Sequence, residues 1–247
     1  MSKTVAATTF GLSYRDTAKA ITSFLEVAVH TILRTRQVYP ADLFVRRKKY
    51  DAPVYQSRHP ALNEYIAGAI KAAGEELLGV VDKMVVVIKD QLDRPLERFV
   101  FSFQHVVNVG PEDIDKALEN AFTAETLSQY FRAFLIKLSV MDSQLGEFSE
   151  TDNLSFAIVL ECKDGFAPST TFDDEPIPWV PASKQHVSNE QTPSAQLHIV
   201  KVVETGVINM ALGVQESDEK LKKRGVPHVP DDVVPQDVKG KGKATIQ

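Results

Sequence analysis

Asp173, Asp174 and Glu175 are three consecutive carboxylates, the oxygen-rich type of side chain that holds a divalent cation. They are the best case for metal chemistry in the chain, and a poor one. No second carboxylate motif stands at a recognisable spacing, and a run of acids between prolines is far more often a solvated loop. The six histidines (30, 59, 105, 186, 198 and 228) are scattered, with no pair at metal-ligand spacing. His30 falls inside a helical pattern, where a satisfied or solvated imidazole is expected rather than a ligand. Cys162, the single cysteine, ends a strand pattern with no activating neighbour and reads as packing. There is no phosphate-binding glycine loop, no dinucleotide fingerprint and no nucleophile elbow; KGKGK near the terminus lacks the strand and helix such motifs need. No catalytic residue, cofactor or metal site is expected.

Trp179 and the run Arg46–Lys49 are better suited to binding. Trp179 is the only tryptophan and stands in IPWVPA, where flanking prolines stiffen the backbone and lower the cost of ordering it. Plain packing and an anchoring role in a binding site are both open on that pattern. Four consecutive cations could touch phosphate, but a solvated edge that also resists aggregation is the commoner use.

The elements that must position these residues follow from periodicity. The chain has 247 residues, 43% hydrophobic and 25% charged, with a net charge of -5. That suits one domain, or one domain and a tail, and supplies no overall field for nucleic acid. One cysteine means no disulfide framework, which fits a reducing compartment. No signal-peptide pattern opens the chain, and the longest apolar run, Met84 to Ile88, is too short to span a bilayer; a soluble intracellular protein is expected.

Ala18, Ile21, Leu25, Ala28 and Ile32 fall three and four apart, which predicts a helix over about Tyr14–Val38. Ser13 with Asp16 suits its cap, and Pro40 ends it. Residues 41–58 read as extended or looped. His59-Pro60 opens a second helix, with Leu62, Ile66, Ala69, Ala73 and Leu77 on its buried side. Met84–Ile88 reads as a strand covered on both faces, and Phe99, Phe101 and Phe103 alternate along its hairpin partner. A third helix is expected over roughly Glu112–Met141, about 45 Å long. Leu154, Phe156, Ile158 and Leu160 alternate in another strand. The stretch Lys163–Ala195 is a proline-rich loop of the length that is usually functional or disordered. Leu197–Glu204 and Val207–Val214 read as two strands turning at Thr205-Gly206. From about Ser217 a polar, lysine-rich tail is expected to be disordered.

Six phrases in this order resemble the HORMA-domain family: FLEVAVHTILRTRQVYP (Phe24–Pro40), RRKKYDAPV (Arg46–Val54), HPALNEYI (His59–Ile66), KMVVVIKD (Lys83–Asp90), RPLERFVF (Arg94–Phe101) and FRAFLIKLSVMD (Phe131–Asp142). Within it they are similar to the branch of accessory, non-catalytic subunits of the translesion DNA polymerase zeta. The resemblance implies an α+β fold in which three helices pack on one face of a mainly antiparallel sheet. It implies a HORMA domain over 10–217, with a safety belt and C-terminal hairpin over 163–216, and a disordered tail over 218–247. Such a belt closes over a partner's peptide, which adds a strand to the sheet. In this branch the peptide belongs to the polymerase's catalytic subunit, and the closed face meets the C-terminal domain of a scaffold deoxycytidyl transferase, in DNA damage tolerance in the nucleus, with the cytoplasm as a further location. The alternative is a HORMA adaptor of the mitotic checkpoint or the chromosome axis.

Residue by residue, the resemblance implies peptide contacts at Tyr65, Trp179 and Pro181. Pro181 stands where the family has a leucine. It implies HORMA homodimer or heterodimer formation through Arg132, and a second-partner surface at Leu197, Leu212 and Val214. No sequence-specific nucleic-acid binding and no membrane association are implied.

Overall fold

The computed structural model describes residues 11–110, 112–118, 121–148, 153–168, 171–172, 175–176, 179–182, 186, 198–217 and 220–221. Helix α1 spans Tyr14–Thr35. The Ser13 side chain accepts from the Asp16 N–H at 3.0 Å, as the capping pattern predicts. The apolar stripe of α1 continues through Phe24 and Val29, and thirteen of its residues are buried. Gln37, at a positive φ of 51°, turns the chain away after it.

The basic run lies in a hairpin rather than a loop: β1 (Phe44–Lys49) pairs antiparallel with β2 (Ala52–Ser57). Helix α2 (Pro60–Glu76) starts at His59, whose Nδ1 accepts from the Leu62 N–H at 3.4 Å. It packs closely on α1. A Cβ on Gly74 would lie 2.6 Å from Thr22 Oγ1, so a side chain there would force the helices apart.

The main sheet has five strands in the order β5-β3-β4-β9-β8, every neighbouring pair antiparallel. These are β3 (Val81–Lys89), β4 (Pro95–His105), β5 (Ser155–Cys162), β8 (His198–Val203) and β9 (Ile208–Glu216). Two two-residue strands, β6 (Thr171–Phe172) and β7 (Glu175–Pro176), pair separately. Met84 to Ile88 are all fully buried, as a central strand covered on both faces requires. Met84, Val86, Ile88, Phe99, Phe101 and Phe103 face the helices, whereas Val85, Val87, Val100 and Val159 form a separate cluster on the other face. Phe24 is the hinge pin of the main core: it stacks on Phe131 at 4.5 Å and meets Phe134 edge-on at 5.5 Å.

Helix α3 spans Ala124–Val140, about 26 Å, rather than the beam from Glu112 that the sequence suggests. Thr123 supplies the cap through Thr126 N–H. Residues 112–118 instead form turns beside the start of α1, with Arg15 N donating to Ile114 O at 3.1 Å, Leu118 N to Leu12 O at 3.4 Å and Ser13 bridged to Ala117. Backbone partners outside the segment thus replace the helical ones. A short helix α4 follows (Asp142–Leu145). The β8–β9 turn falls at Thr205-Gly206 as expected; Thr205 Oγ1 accepts from Val207 N–H and Ile208 N–H, and Gly206 takes φ 80°.

The ordered domain does not stop at residue 217. Lys220 is buried and ion-paired with Glu97 and Glu216, and Leu221 N donates to Ser217 O. Of the expected tail over 218–247, residues 220 and 221 are thus held against the domain. Residues 222–247, and residue 10 at the other boundary, lie outside the described ones.

Candidate strand-docking edge and its belt

Strand β5 is bonded to β3 on one side, and among the described residues no strand pairs with its other side. Its first six residues, SFAIVL, carry no charge. A long uncharged edge is a template for another strand and is normally guarded by lysine, proline or a bulge. The opposite edge, β8, has such guards: exposed His198, Lys201 and a register shift between Ile199 and Lys201.

An aromatic cluster borders the β5 edge on the helix side. Phe156, on β5, meets Tyr65 of α2 edge-on at 5.6 Å and Tyr39 edge-on at 6.2 Å. Tyr65 is 48% exposed, unusual for a tyrosine packed on a core aromatic. Burial, and then the nearby Tyr65 phenol, push the Tyr39 phenol upward from its ordinary pKa. Helical spacing explains the placement: Ile66, Ala69 and Ile70 bury one face of α2, and Tyr65 stands on its shoulder over β5.

The chain after β5 has a constrained path. Lys163 N donates to Val80 O at 2.9 Å, which fixes its start at one end of β3. His186 Nε2 lies 3.1 Å from Asp93 O, which fixes it at the other end, beside the β3–β4 turn. β8 then begins on the far side of the sheet, four strand spacings or about 19 Å from β5. Among the described residues, the segment after β5 thus touches both ends of β3. Trp179 lies between these two contacts in the chain. It is half-buried against the main core, and its indole N–H has no acceptor among the described residues although the atom is buried. Pro181 and Val180 are exposed beside it, Val180 at 82%. No ring contact joins Trp179 to Tyr65 among the described residues.

Other expected site residues fall differently. Arg132 is exposed on α3, with Ile136 and Val140, about half exposed, at successive four-residue steps along the same face. Leu212 and Val214 are fully buried on the helix-covered face, packed in the main core, and so cannot meet a second partner. The outward apolar residues of β8 are Ile199 and Val202, 58% and 48% exposed. Leu197, Asp173 and Asp174 lie outside the described residues, as does the Glu175 side chain. Among the described residues no group of three or more His, Cys, Asp or Glu could hold a metal ion, and no helix is long and apolar enough to cross a membrane. Burial raises the Cys162 thiol, with Glu76 and Asp82 adding to it, which fits a packing role.

His30 departs from its expected satisfied or solvated state. It is buried in α1, neither ring nitrogen has a hydrogen-bond partner among the described residues, and burial lowers its pKa from 6.5 to about 4. Sequence gave no signal for this, nor for a buried ionic cluster at the end of α1. There Arg36 grips Glu97 through Nε at 2.9 Å and a second nitrogen at 2.6 Å, and Phe148 lies over the guanidinium at 4.7 Å.

A model of the HORMA domain matches residues 17–163. The chain is 32% identical over 212 residues to the human protein named mitotic spindle assembly checkpoint protein MAD2B, covering 82% of this chain and 92% of that one. It is 33% identical over 158 residues to the DNA polymerase zeta processivity subunit of Schizosaccharomyces pombe, covering 63% and 73%. Among solved structures it resembles a chain of the mitotic checkpoint complex (TM-score 0.64, 18% identity, 82% and 99% covered). It also resembles Caenorhabditis elegans HTP-2 bound to an HTP-3 closure motif (TM-score 0.63, 14% identity, 87% and 95% covered). At such identities the structural likeness speaks to the fold.

Proposed function

The chain belongs to the HORMA-domain family, and from that premise we propose that it is a non-catalytic adaptor that traps an extended peptide of the catalytic subunit of DNA polymerase zeta. The observation that carries this reading is the uncharged edge of β5, which among the described residues no strand pairs with and which is bordered by Phe156 and exposed Tyr65.

A peptide laid on that edge adds a sixth strand. Main-chain hydrogen bonds supply affinity independent of sequence, and the aromatic border selects apolar or proline side chains. The unpartnered indole N–H of Trp179 gains an acceptor if a peptide carbonyl comes within reach, which removes the cost of a buried donor. The belt, with Trp179 and Pro181, closes over the added strand, so release requires the belt to lift and tight binding appears as slow dissociation. HTP-2, a neighbour by fold, is bound to a closure motif of its partner, which supports this use of the architecture.

The similarity to the fission-yeast processivity subunit supports the choice of partner. The second partner in this reading is the C-terminal domain of the scaffold deoxycytidyl transferase, met through Ile199 and Val202 on the outer hairpin. Arg132 serves pairing with another HORMA domain. The site of action is the nucleus, in DNA damage tolerance. The checkpoint names carried by the vertebrate relatives favour a second reading, an adaptor of mitotic checkpoint or chromosome-axis assembly.

Affinity purification of the native protein with identification of its companions decides between them. Polymerase zeta subunits are expected. Cell-division-cycle or axis proteins in their place transfer the function to the second reading, and no protein companion at all removes both.

A further inference from the structure

We infer that the β1–β2 hairpin is a surface for the phosphate backbone of duplex DNA, held through Arg46, Arg47 and Arg58 without reading the bases. The choice of DNA among phosphate polymers rests on the reading of the chain as a polymerase subunit. The phosphate chemistry rests on the hairpin itself.

The four consecutive cations of β1 are not equivalent. Lys49 Nζ donates to Ser23 Oγ at 2.7 Å and lies 5.4 Å from the Tyr50 ring centre, so it is occupied in packing against α1. Lys48 is paired at 2.7 Å with Asp51, the only acid within residues 44–57. Its hydrogen bond and its charge hold the Asp51 carboxyl below the ordinary value, with the Arg132 charge adding to them. Arg46 and Arg47 remain, both exposed and, among the described residues, without a carboxylate partner. Arg58, just after β2, is likewise exposed and without a carboxylate partner among the described residues. Its backbone N–H donates to Leu43 O at 2.7 Å, which fixes it at the foot of the hairpin.

Spacing and surroundings favour a phosphate backbone over a protein partner. Arg47 stands opposite Val54, four residues before Arg58. The three guanidiniums thus spread over about 13 Å, a length over which one strand of a duplex carries about four phosphates. Each presents a planar fork of donors that matches phosphate oxygens. Tyr55, opposite Arg46, carries the Arg34 guanidinium over its ring at 5.1 Å, which brings a further cation to the same stretch. No large apolar side chain within residues 44–57 is exposed. A protein interface has an apolar centre inside its polar rim, whereas a surface that tracks a backbone needs only cations and polar groups. The competing view is that the arginines merely keep the outer side of β1 from pairing with another strand.

The test uses the full chain and two labelled duplexes of unrelated sequence, titrated between about 50 and about 200 mM salt. Equal affinity for the two duplexes is expected, and unequal affinity overturns binding without base readout. In the variant Arg46→Ala/Arg47→Ala/Arg58→Ala the slope of log affinity against log salt is expected to shrink by about 2.7, three phosphate contacts at about 0.9 each. Affinity at the lowest salt is expected to fall at least about tenfold. The corresponding triple lysine variant keeps the charge and is expected to keep the slope, and all three proteins are expected to melt together. Unchanged affinity and slope in the alanine variant overturn the proposal, because the binding then lies in other cations. So does a wild-type chain that binds neither duplex at the lowest salt. Loss of self-association by light scattering with DNA binding intact makes the hairpin a protein contact and also overturns it. Tighter binding of a duplex RNA of equal length overturns the choice of DNA. Duplex binding that the alanine variant loses, in a chain that captures no polymerase fragment, supports the phosphate surface and removes the proposed function.

Discussion

Lys220 Nζ is ion-paired with the fully buried carboxylate of Glu97, 123 residues earlier in the chain. The same nitrogen donates to Leu145 O at 2.6 Å and Glu216 Oε1 at 2.7 Å, and lies 4.8 Å from the Phe148 ring. Glu97 also holds Arg36, at the end of α1. Two cations on one buried carboxylate thus tie the last strand, the first helix and α4 together.

Lys220→Ala is expected to lower stability by about 2–4 kcal/mol, because the buried Glu97, with Glu216 and Leu145 O, loses a buried cation. Truncation after Ser217 is expected to cost at least as much. Urea denaturation of both variants against wild type measures it. A change under about 0.5 kcal/mol would place Lys220 among ordinary surface cations.

Tyr65→Ala and Trp179→Ala are each expected to weaken capture of the polymerase fragment by about 2 kcal/mol or more, roughly 30-fold, mostly as faster release. Tyr65 is half exposed, so its removal is expected to leave the thermal transition nearly unmoved. Release kinetics by surface-immobilised capture, beside a melting curve, separates binding from folding. Unaltered release in both variants removes the aromatic border from the site.

Where the partners of a residue lie close in sequence, the fold was legible. Ser13 and Asp16, the stripe of α1, His59-Pro60 and the alternating phenylalanines of β4 each declare their element through local periodicity or capping. The start of α3 was not legible, because residues 112–118 take backbone partners near residue 12, far from any local signal. For the site, the resemblance pointed to Tyr65 and Trp179, but only the strand order showed that, among the described residues, no strand pairs with the outer side of β5 beside Tyr65. Leu212 and Val214 show the limit of the resemblance at these strands: it pointed to the hairpin, and only the packing of the core says which of its faces is inside. Lys220 and His186 stand in polar, proline-rich sequence, and their partners Glu97 and Asp93 lie about a hundred residues away.

Arg132→Ala is expected to abolish self-association while leaving the fold intact, since the side chain is exposed on α3. Ile136 and Val140 continue the same face, so Ile136→Glu is expected to act in the same direction by placing charge in an apolar contact. Mass by light scattering over a range of concentrations reads the outcome. Wild-type and variant masses that rise equally with concentration would put the contact elsewhere.

Stability is expected to fall between about pH 6.5 and pH 4 because of His30. Burial lowers its pKa from 6.5 to about 4 in the folded chain. The unfolded chain therefore takes up the proton first, and each step down in pH through this window favours unfolding. The contribution is fully present above pH 6.5, declines as pH falls, and is gone once pH passes the folded value; its size is about 3 kcal/mol. Asp90, held below its ordinary value, adds a loss only at lower pH, whereas His105, which burial also lowers from 6.5, adds to the loss in the same direction. Neither ring nitrogen of His30 has a hydrogen-bond partner among the described residues, so His30→Leu sacrifices no hydrogen bond there and removes the titrating group. The leucine variant is expected to be at least as stable as wild type at pH 7 and to lose most of the slope between pH 6.5 and 4. Urea denaturation at half-unit steps of pH gives both curves, and parallel slopes for the two proteins would assign the acid sensitivity to other groups.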